Sequence, residues 1–271
     1  MTRHNTPQER QERQQQRIAE QKRLATLHPA ERRPDSLWIY GIHAVAAALN
    51  NPRRKINRIL ATPNAVARVA EAGAALPFAP EDAHPRDLDR LLGTDAVHQG
   101  IALEVAALPA LGLDAIAAAK LIVVLDQVTD PHNVGAILRS AVAFAADAIV
   151  TTGRHAAAES GTLAKAASGA LDQIKWIEVQ NLARALEEIG RMGFTRVGLD
   201  SDAEANIETA FTGPRIALVL GAEGKGLRRL TQETCDVVAS LKVPGAITSL
   251  NVSNAAALAL YLASRHLNAG A

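Results

Sequence analysis

The chain opens without a hydrophobic pattern and acquires one near Leu37. Trp38-Ile39-Tyr40-Gly41 is a short apolar run, and His43 to Leu49 follows as an Ala-rich helix pattern. Asn50 to Lys55 interrupts with turn residues and three positive charges. Ile56 to Ala61 then reads as a strand, Ala65 to Ala74 as a helix, and Pro77-Phe78-Ala79 as a short strand. A small helix is expected over Asp87 to Leu92 and a strand over His98 to Val105. Strands alternating with helices over this length predict a compact α/β module.

A second pattern begins at Leu121-Ile-Val-Val-Leu125. Continuous apolar strands of this kind belong to parallel sheets covered on both faces. Further strands are expected at Ala148–Thr151, Trp176–Val179, Thr195–Leu199, Arg215–Leu220 and Asp236–Val243. Helices are expected at Asn133–Ala145, Ser160–Ala170, Leu182–Met192 and Leu250–Leu267. This alternation predicts a mostly parallel, doubly wound sheet whose ligands bind at the carboxyl ends of its strands. The division expected is an extension over 1–35, a small α/β domain over 36–106, a linker over 107–118 around Pro109 and Gly112, and a larger α/β domain over 119–271.

Composition narrows the function. Aromatic residues make up 3% of the 271 residues, too few for a base-stacking platform. Net charge is +1, but residues 1–34 hold eight Arg or Lys against four Glu and almost no large apolar side chain. Such a segment buries too little apolar surface to offset its ordering entropy. It reads as a disordered tail or as an arm that neutralises RNA phosphates. Cys235 is the only cysteine, which excludes a disulfide framework and suits a reducing cytosol. The apolar stretch from Ala255 to Ala263 is too short to span a bilayer, and no metal-binding motif occurs, so a soluble, metal-free protein is expected.

Three constellations carry candidate chemistry. In the first, Asp126 to Ser140, Thr129, Asp130, His132 and Asn133 can cap a helix. Six residues beyond Asn133, Arg139 interrupts an apolar run, either as a surface residue or to meet an anion. In the second, an apolar strand runs through Leu220 into Gly221-Ala-Glu223-Gly-Lys-Gly226. Glycines let backbone approach a ligand closely. The loop is neither a Walker A loop, since Leu227 and Arg228 follow Gly226, nor a dinucleotide fingerprint, which counts against a nucleotide-dependent oxidoreductase. In the third, Val243-Pro244-Gly-Ala-Ile-Thr-Ser249-Leu250-Asn251-Val252-Ser253 leads into the last helix, with Ser249 placed to cap it.

In this order, the three constellations resemble the motifs of the SpoU (TrmH-like) RNA 2′-O-ribose methyltransferases. Asn133 and Arg139 match the first motif, Gly221, Glu223 and Gly226 the second, and Pro244 with Ser249 to Ser253 the third. The third loop departs from the family pattern, with two residues fewer between Pro244 and Gly245. The first module resembles the ribosomal-protein-L30e-like substrate domain of the branch that modifies a guanosine of 23S rRNA. The resemblance implies a SPOUT-class sheet with a trefoil knot, a homodimer, and S-adenosylmethionine as methyl donor. It also implies that Leu220, Gly221, Gly226, Val243, Pro244, Ser249 and Leu250 hold the cofactor. Asn133, Arg139, Glu223, Ser249 and Asn251 would serve the RNA and the reaction; no proton acceptor is assigned. A tRNA ribose methyltransferase and an RNA-binding paralogue of weak activity are the alternatives.

Overall fold

The structure is a computed structural model that describes residues 36–109, 111–153, 156–246 and 249–269. The basic extension expected over 1–35 lies outside the described residues.

The first sheet has the order β1-β4-β2-β3. Its strands are β1 (Ser36–Tyr40), β2 (Ile56–Ala61), β3 (Glu81–Asp82) and β4 (Ile101–Ala106). β4 runs antiparallel to both β1 and β2, and β3 joins β2 in parallel. Helices α1 (Ile42–Asn50), α2 (Pro63–Glu71) and α3 (Pro85–Leu92) cover it. Thr62 starts α2 by accepting from Ala65 N, with Pro63 in the first turn, where its missing N–H costs nothing. Alternate residues enter different cores: Ile39, Ile59, Leu103 and Val105 one way, Trp38, Leu60 and Ala102 the other, with Leu88 of α3. Pro77–Ala79, expected as a strand, is not one. Pro77 and Pro80 bracket it and lack ladder donors, so pairing begins only at Glu81.

The second sheet has seven strands in the order β7-β6-β5-β10-β8-β11-β9. They are β5 (Leu121–Asp126), β6 (Ala148–Thr152), β7 (Lys175–Val179), β8 (Thr195–Leu199), β9 (Ala205–Asn206), β10 (Ile216–Gly221) and β11 (Val237–Ser240). Every neighbouring pair is parallel. β5, β6 and β10 are buried along their whole length, as continuous apolar runs require. Leu121, Val123 and Leu125 of β5, with Ile216, Leu218 and Leu220 of β10, face helices α4 (Pro131–Ala143), α5 (Gly161–Ala167) and α8 (Val252–Ala269). Ile122, Val124, Ala217 and Val219 face α6 (Leu182–Arg191), through Leu182, Leu186 and Ile189. A short helix, α7 (Arg229–Thr234), follows β10.

Ser249 does not cap the last helix. α8 starts at Val252, and the Asn251 side chain accepts from Ser253 N. The expected linker is partly ordered against the second sheet: Ile116 is fully buried among Ile122 and Ile177.

The two sheets share one continuous core through β1, α1 and α5. Gly161 admits this approach, because a Cβ there would lie 2.3 Å from Trp38 O. Beside the contact, Arg54 is buried between the units. It donates to Asp172 Oδ1 at 2.8 Å, to Glu159, and to Ala106 O. Asn51 also donates to Asp172, and Glu159 accepts from Leu108 N. The first module and the second unit thus meet on one guanidinium, and the connecting segment joins through Leu108 on Glu159.

Candidate functional site

The crevice opens where the order of the second sheet turns back on itself. β5, β10, β8 and β11 lie side by side and end together there, the position at which parallel sheets bind ligands. After Gly221 the chain makes a tight loop closed by two hydrogen bonds, Ala222 N to Gly226 O and Gly226 N to Ala222 O. The glycines are required locally. A Cβ on Gly221 would lie 2.2 Å from Gly226 C, and Gly226 has φ +62°. The end of the loop is pinned to β5: Arg228 gives both its backbone N–H and its Nε–H to the buried Asp126 carboxylate.

The resulting cavity is about 670 Å³. Its walls come from the loop after β8 (Leu199 to Asp202), from Leu220 to Gly226, from Leu241 and Val243, and from Ser249 to Val252. At its edge the first turn of α4, the glycine loop and the start of α8 are joined. Asn133 Nδ2 donates to Glu223 Oε2 at 3.0 Å, and Asn251 Nδ2 contacts Glu223 Oε1 at 3.3 Å and Asn133 Oδ1 at 3.1 Å. Asn251 Oδ1 accepts from both N and Oγ of Ser253, which fixes the amide's orientation. Asp130 caps α4 by accepting from His132 N.

Of the residues singled out in the sequence, Leu220, Gly221, Gly226, Val243, Ser249 and Leu250 line the cavity, and Asn133, Glu223 and Asn251 meet at its edge. Pro244 adjoins Val243 without lining the cavity. Arg139 lies on the exposed face of α4, away from it. Sequence reasoning missed the wall formed by Asp200, Ser201 and Asp202. Asp200 accepts from Asp202 N and from Gln232 Nε2. The available signal was a polar, acidic cluster directly after an apolar strand. Among the described residues no group of three His, Cys, Asp or Glu side chains could hold a metal, and no helix is long and apolar enough to cross a membrane.

The model of the SpoU rRNA Methylase family matches residues 120–261. The chain belongs to that family. A second family, described as RNA 2′-O ribose methyltransferase substrate binding, matches residues 38–111, so the SpoU region and its companion occupy the two sheets in turn. Among curated SpoU relatives, the 23S rRNA (guanosine-2′-O-)-methyltransferase RlmB of Ralstonia nicotianae is 42% identical over 240 residues, covering 85% of this chain and 96% of that protein. RlmB of Pseudomonas putida is 37% identical over 241 residues, covering 84% and 95%. The fold is similar to that of the SpoU methyltransferase AviRb from Streptomyces viridochromogenes in complex with AdoMet. The TM-score is 0.74 at 24% identity, over 90% of this chain and 96% of that one.

Proposed function

We propose that this protein transfers a methyl group from S-adenosylmethionine to the ribose 2′-oxygen of a guanosine in 23S rRNA. The reading follows the activity named for relatives that align with most of this chain. The observation that carries it is the meeting of all three motif segments around one cavity, joined by Asn133, Glu223 and Asn251.

The residues present suit the methyl donor. Leu199, Leu220, Leu241, Val243 and Val252 give the cavity an apolar lining for an adenine ring. Asp200, Asp202 and Glu223 supply negative charge for a cationic ligand. Leu220, Gly221, Gly226, Val243, Ser249 and Leu250 are the holding residues, with Pro244 shaping the approach. When bound, S-adenosylmethionine supplies a methyl group on a sulfonium, and transfer breaks the S–CH3 bond, forms the O–CH3 bond and releases the hydroxyl proton. The work left to the protein is alignment and electrostatic support. Asn133, Glu223, Ser249 and Asn251 orient the ribose beside the cavity.

Arg139 serves the reaction from the face of α4 in a two-copy assembly. Exposed positions Leu258 and Tyr261 lie along α8, which packs on α4, and form an apolar stripe suited to a second copy. The module over 36–106 holds the RNA, and the activity belongs to the cytoplasm.

The test is incorporation of labelled methyl from S-adenosylmethionine into 23S rRNA and tRNA by the purified protein, followed by ribose-methylation mapping. The expected product is one 2′-O-methylguanosine in 23S rRNA. Absence of methyl-donor binding in calorimetry would favour the weakly active RNA-binding paralogue, a reading to which the shortened loop between Pro244 and Ser249 gives support.

A further inference from the structure

A second cavity, of about 330 Å³, opens beside the first and shares Ala222, Glu223 and Lys225 with it. The rest of its lining is the β5–α4 segment, Gln127, Val128, Thr129 and Asp130, together with Asn133. Holding the methyl donor leaves this space unused. Its volume is at the lower end of the roughly 300–1,000 Å³ usual for small-ligand pockets.

Three features of its lining leave groups available to a ligand. Gln127 has φ +60°, the left-handed region that a side chain other than glycine rarely adopts and that is concentrated at functional sites. The side chains of Gln127, Thr129 and Lys225 line the cavity and make no hydrogen bond among the described residues, Thr129 and Lys225 being exposed. Asp130 uses Oδ1 on His132 N, and its Oδ2 has no hydrogen-bond partner among the described residues.

The charges decide between a phosphate and a base. Asp130 and Glu223 against Lys225 leave the lining net negative, which repels a phosphate. A carboxylate accepts only, and it binds two adjacent N–H donors well. Guanine offers such a pair at N1–H and the N2 amino group, whereas adenine and the pyrimidines do not. O6 and N7 of guanine are acceptors, and the Lys225 ammonium and the Gln127 amide are the donors available to them.

Resting on the functional reading above, we propose that this cavity receives the base of the target guanosine, turned out of the RNA, and that Asp130 selects guanine through its N1 and N2 edge. Enzymes that do chemistry on a base commonly extrude its nucleotide into a fitted pocket, and the same displacement would bring the attached ribose beside the methyl donor. The shared Glu223 wall then stands beside the ribose, with the methyl donor's cavity adjoining.

The test is Asp130→Asn, assayed beside the unaltered protein on a 23S rRNA fragment carrying either guanosine or inosine at the target position. Asparagine caps a helix as well as aspartate does, so α4 keeps its start. Inosine lacks only the N2 amino group. The unaltered protein should methylate the inosine RNA about 10-fold or more less efficiently than the guanosine RNA. Asp130→Asn should lose about 100-fold in kcat/KM on guanosine and lose the discrimination, because a site built to hydrogen-bond a substrate group discriminates strongly. Its affinity for S-adenosylmethionine and its melting temperature should not change. Equal use of both RNAs by the unaltered protein, or an Asp130→Asn rate within about 3-fold of normal, would overturn the proposal and leave the methyltransferase reading intact. Failure of the unaltered protein to methylate any RNA would instead remove the reading on which the proposal rests.

Discussion

At the scale of single residues, Glu223 is the hinge of the site. One carboxylate takes amide donors from α4 and from the segment before α8, so it sets the distance between two elements that are remote in sequence. Glu223→Ala should reduce methyl transfer by roughly 100-fold, the scale expected when reacting groups are displaced by about 1 Å. Because the group is exposed, the melting temperature should move little. Combining it with Asn133→Ala should cost less than the sum of the two, since both remove the same contact. An additive result would show that the bridge does not act as a unit. Cys235 makes a different prediction. Burial pushes its thiol up to about 12, and the thiol donates to Thr231 O at 3.2 Å. At pH 8 about one molecule in ten thousand would carry the thiolate, so alkylation should be slow until the protein is unfolded. The folded state favours the neutral thiol. Its contribution to stability is therefore complete below about pH 9, the ordinary value, and is lost as pH rises toward 12. Cys235→Ala should flatten that alkaline decline in denaturant titrations.

Among the elements, glycine sets how closely helices and strands approach. A Cβ on Gly135 of α4 would lie 2.5 Å from Ala166 Cβ and 2.8 Å from its backbone on α5. Gly135→Ala should destabilise the protein by about 1–3 kcal/mol through overpacking, read as a lower denaturant midpoint. An unchanged midpoint would mean that the helices part freely. β5, β6 and β10 were legible because they are buried on both faces, and Thr195–Leu199, only partly buried, was read with its observed ends. Elements whose limits depend on contacts distant in sequence were not legible. β9 is two residues paired only to β11, with no hydrophobic run to announce it. α8 begins at Val252 because Asn251 is held by Asn133 and Glu223, partners more than 25 positions away, so Ser249 looked the better cap. The spacing brought together Asn133, Gly221, Glu223, Gly226, Ser249 and Asn251, which gather at one cavity, but not Arg139, which lies on the exposed face of α4. The acidic wall from Asp200 to Asp202 was not legible, because its place depends on β8 lying between β10 and β11.

On the scale of the whole molecule, the deciding feature is the buried guanidinium between the two sheets. Arg54 carries no exposed side-chain surface, and one of its nitrogens, Nη2, is buried without a partner among the described residues. Removing one member of a buried ion pair costs roughly 3–5 kcal/mol because the other charge is left uncompensated. Arg54→Ala should show that loss in denaturant melts and should expose residues 107–109 to proteolysis. The apolar stripe on α8 gives a second prediction at this scale. In the two-copy assembly proposed above, Tyr261→Asp should lower the sedimenting mass to that of one chain, and an unchanged mass would place the pairing surface elsewhere.

A module hung on a loose tether can follow its RNA through many shapes. One riveted through Arg54, Asp172 and Glu159 has no such freedom. The molecule then behaves as a caliper with fixed jaws, admitting RNAs in which the gripped region and the modified nucleotide lie the right span apart. On the proposed function, selectivity follows from the architecture of the substrate as well as from its letters.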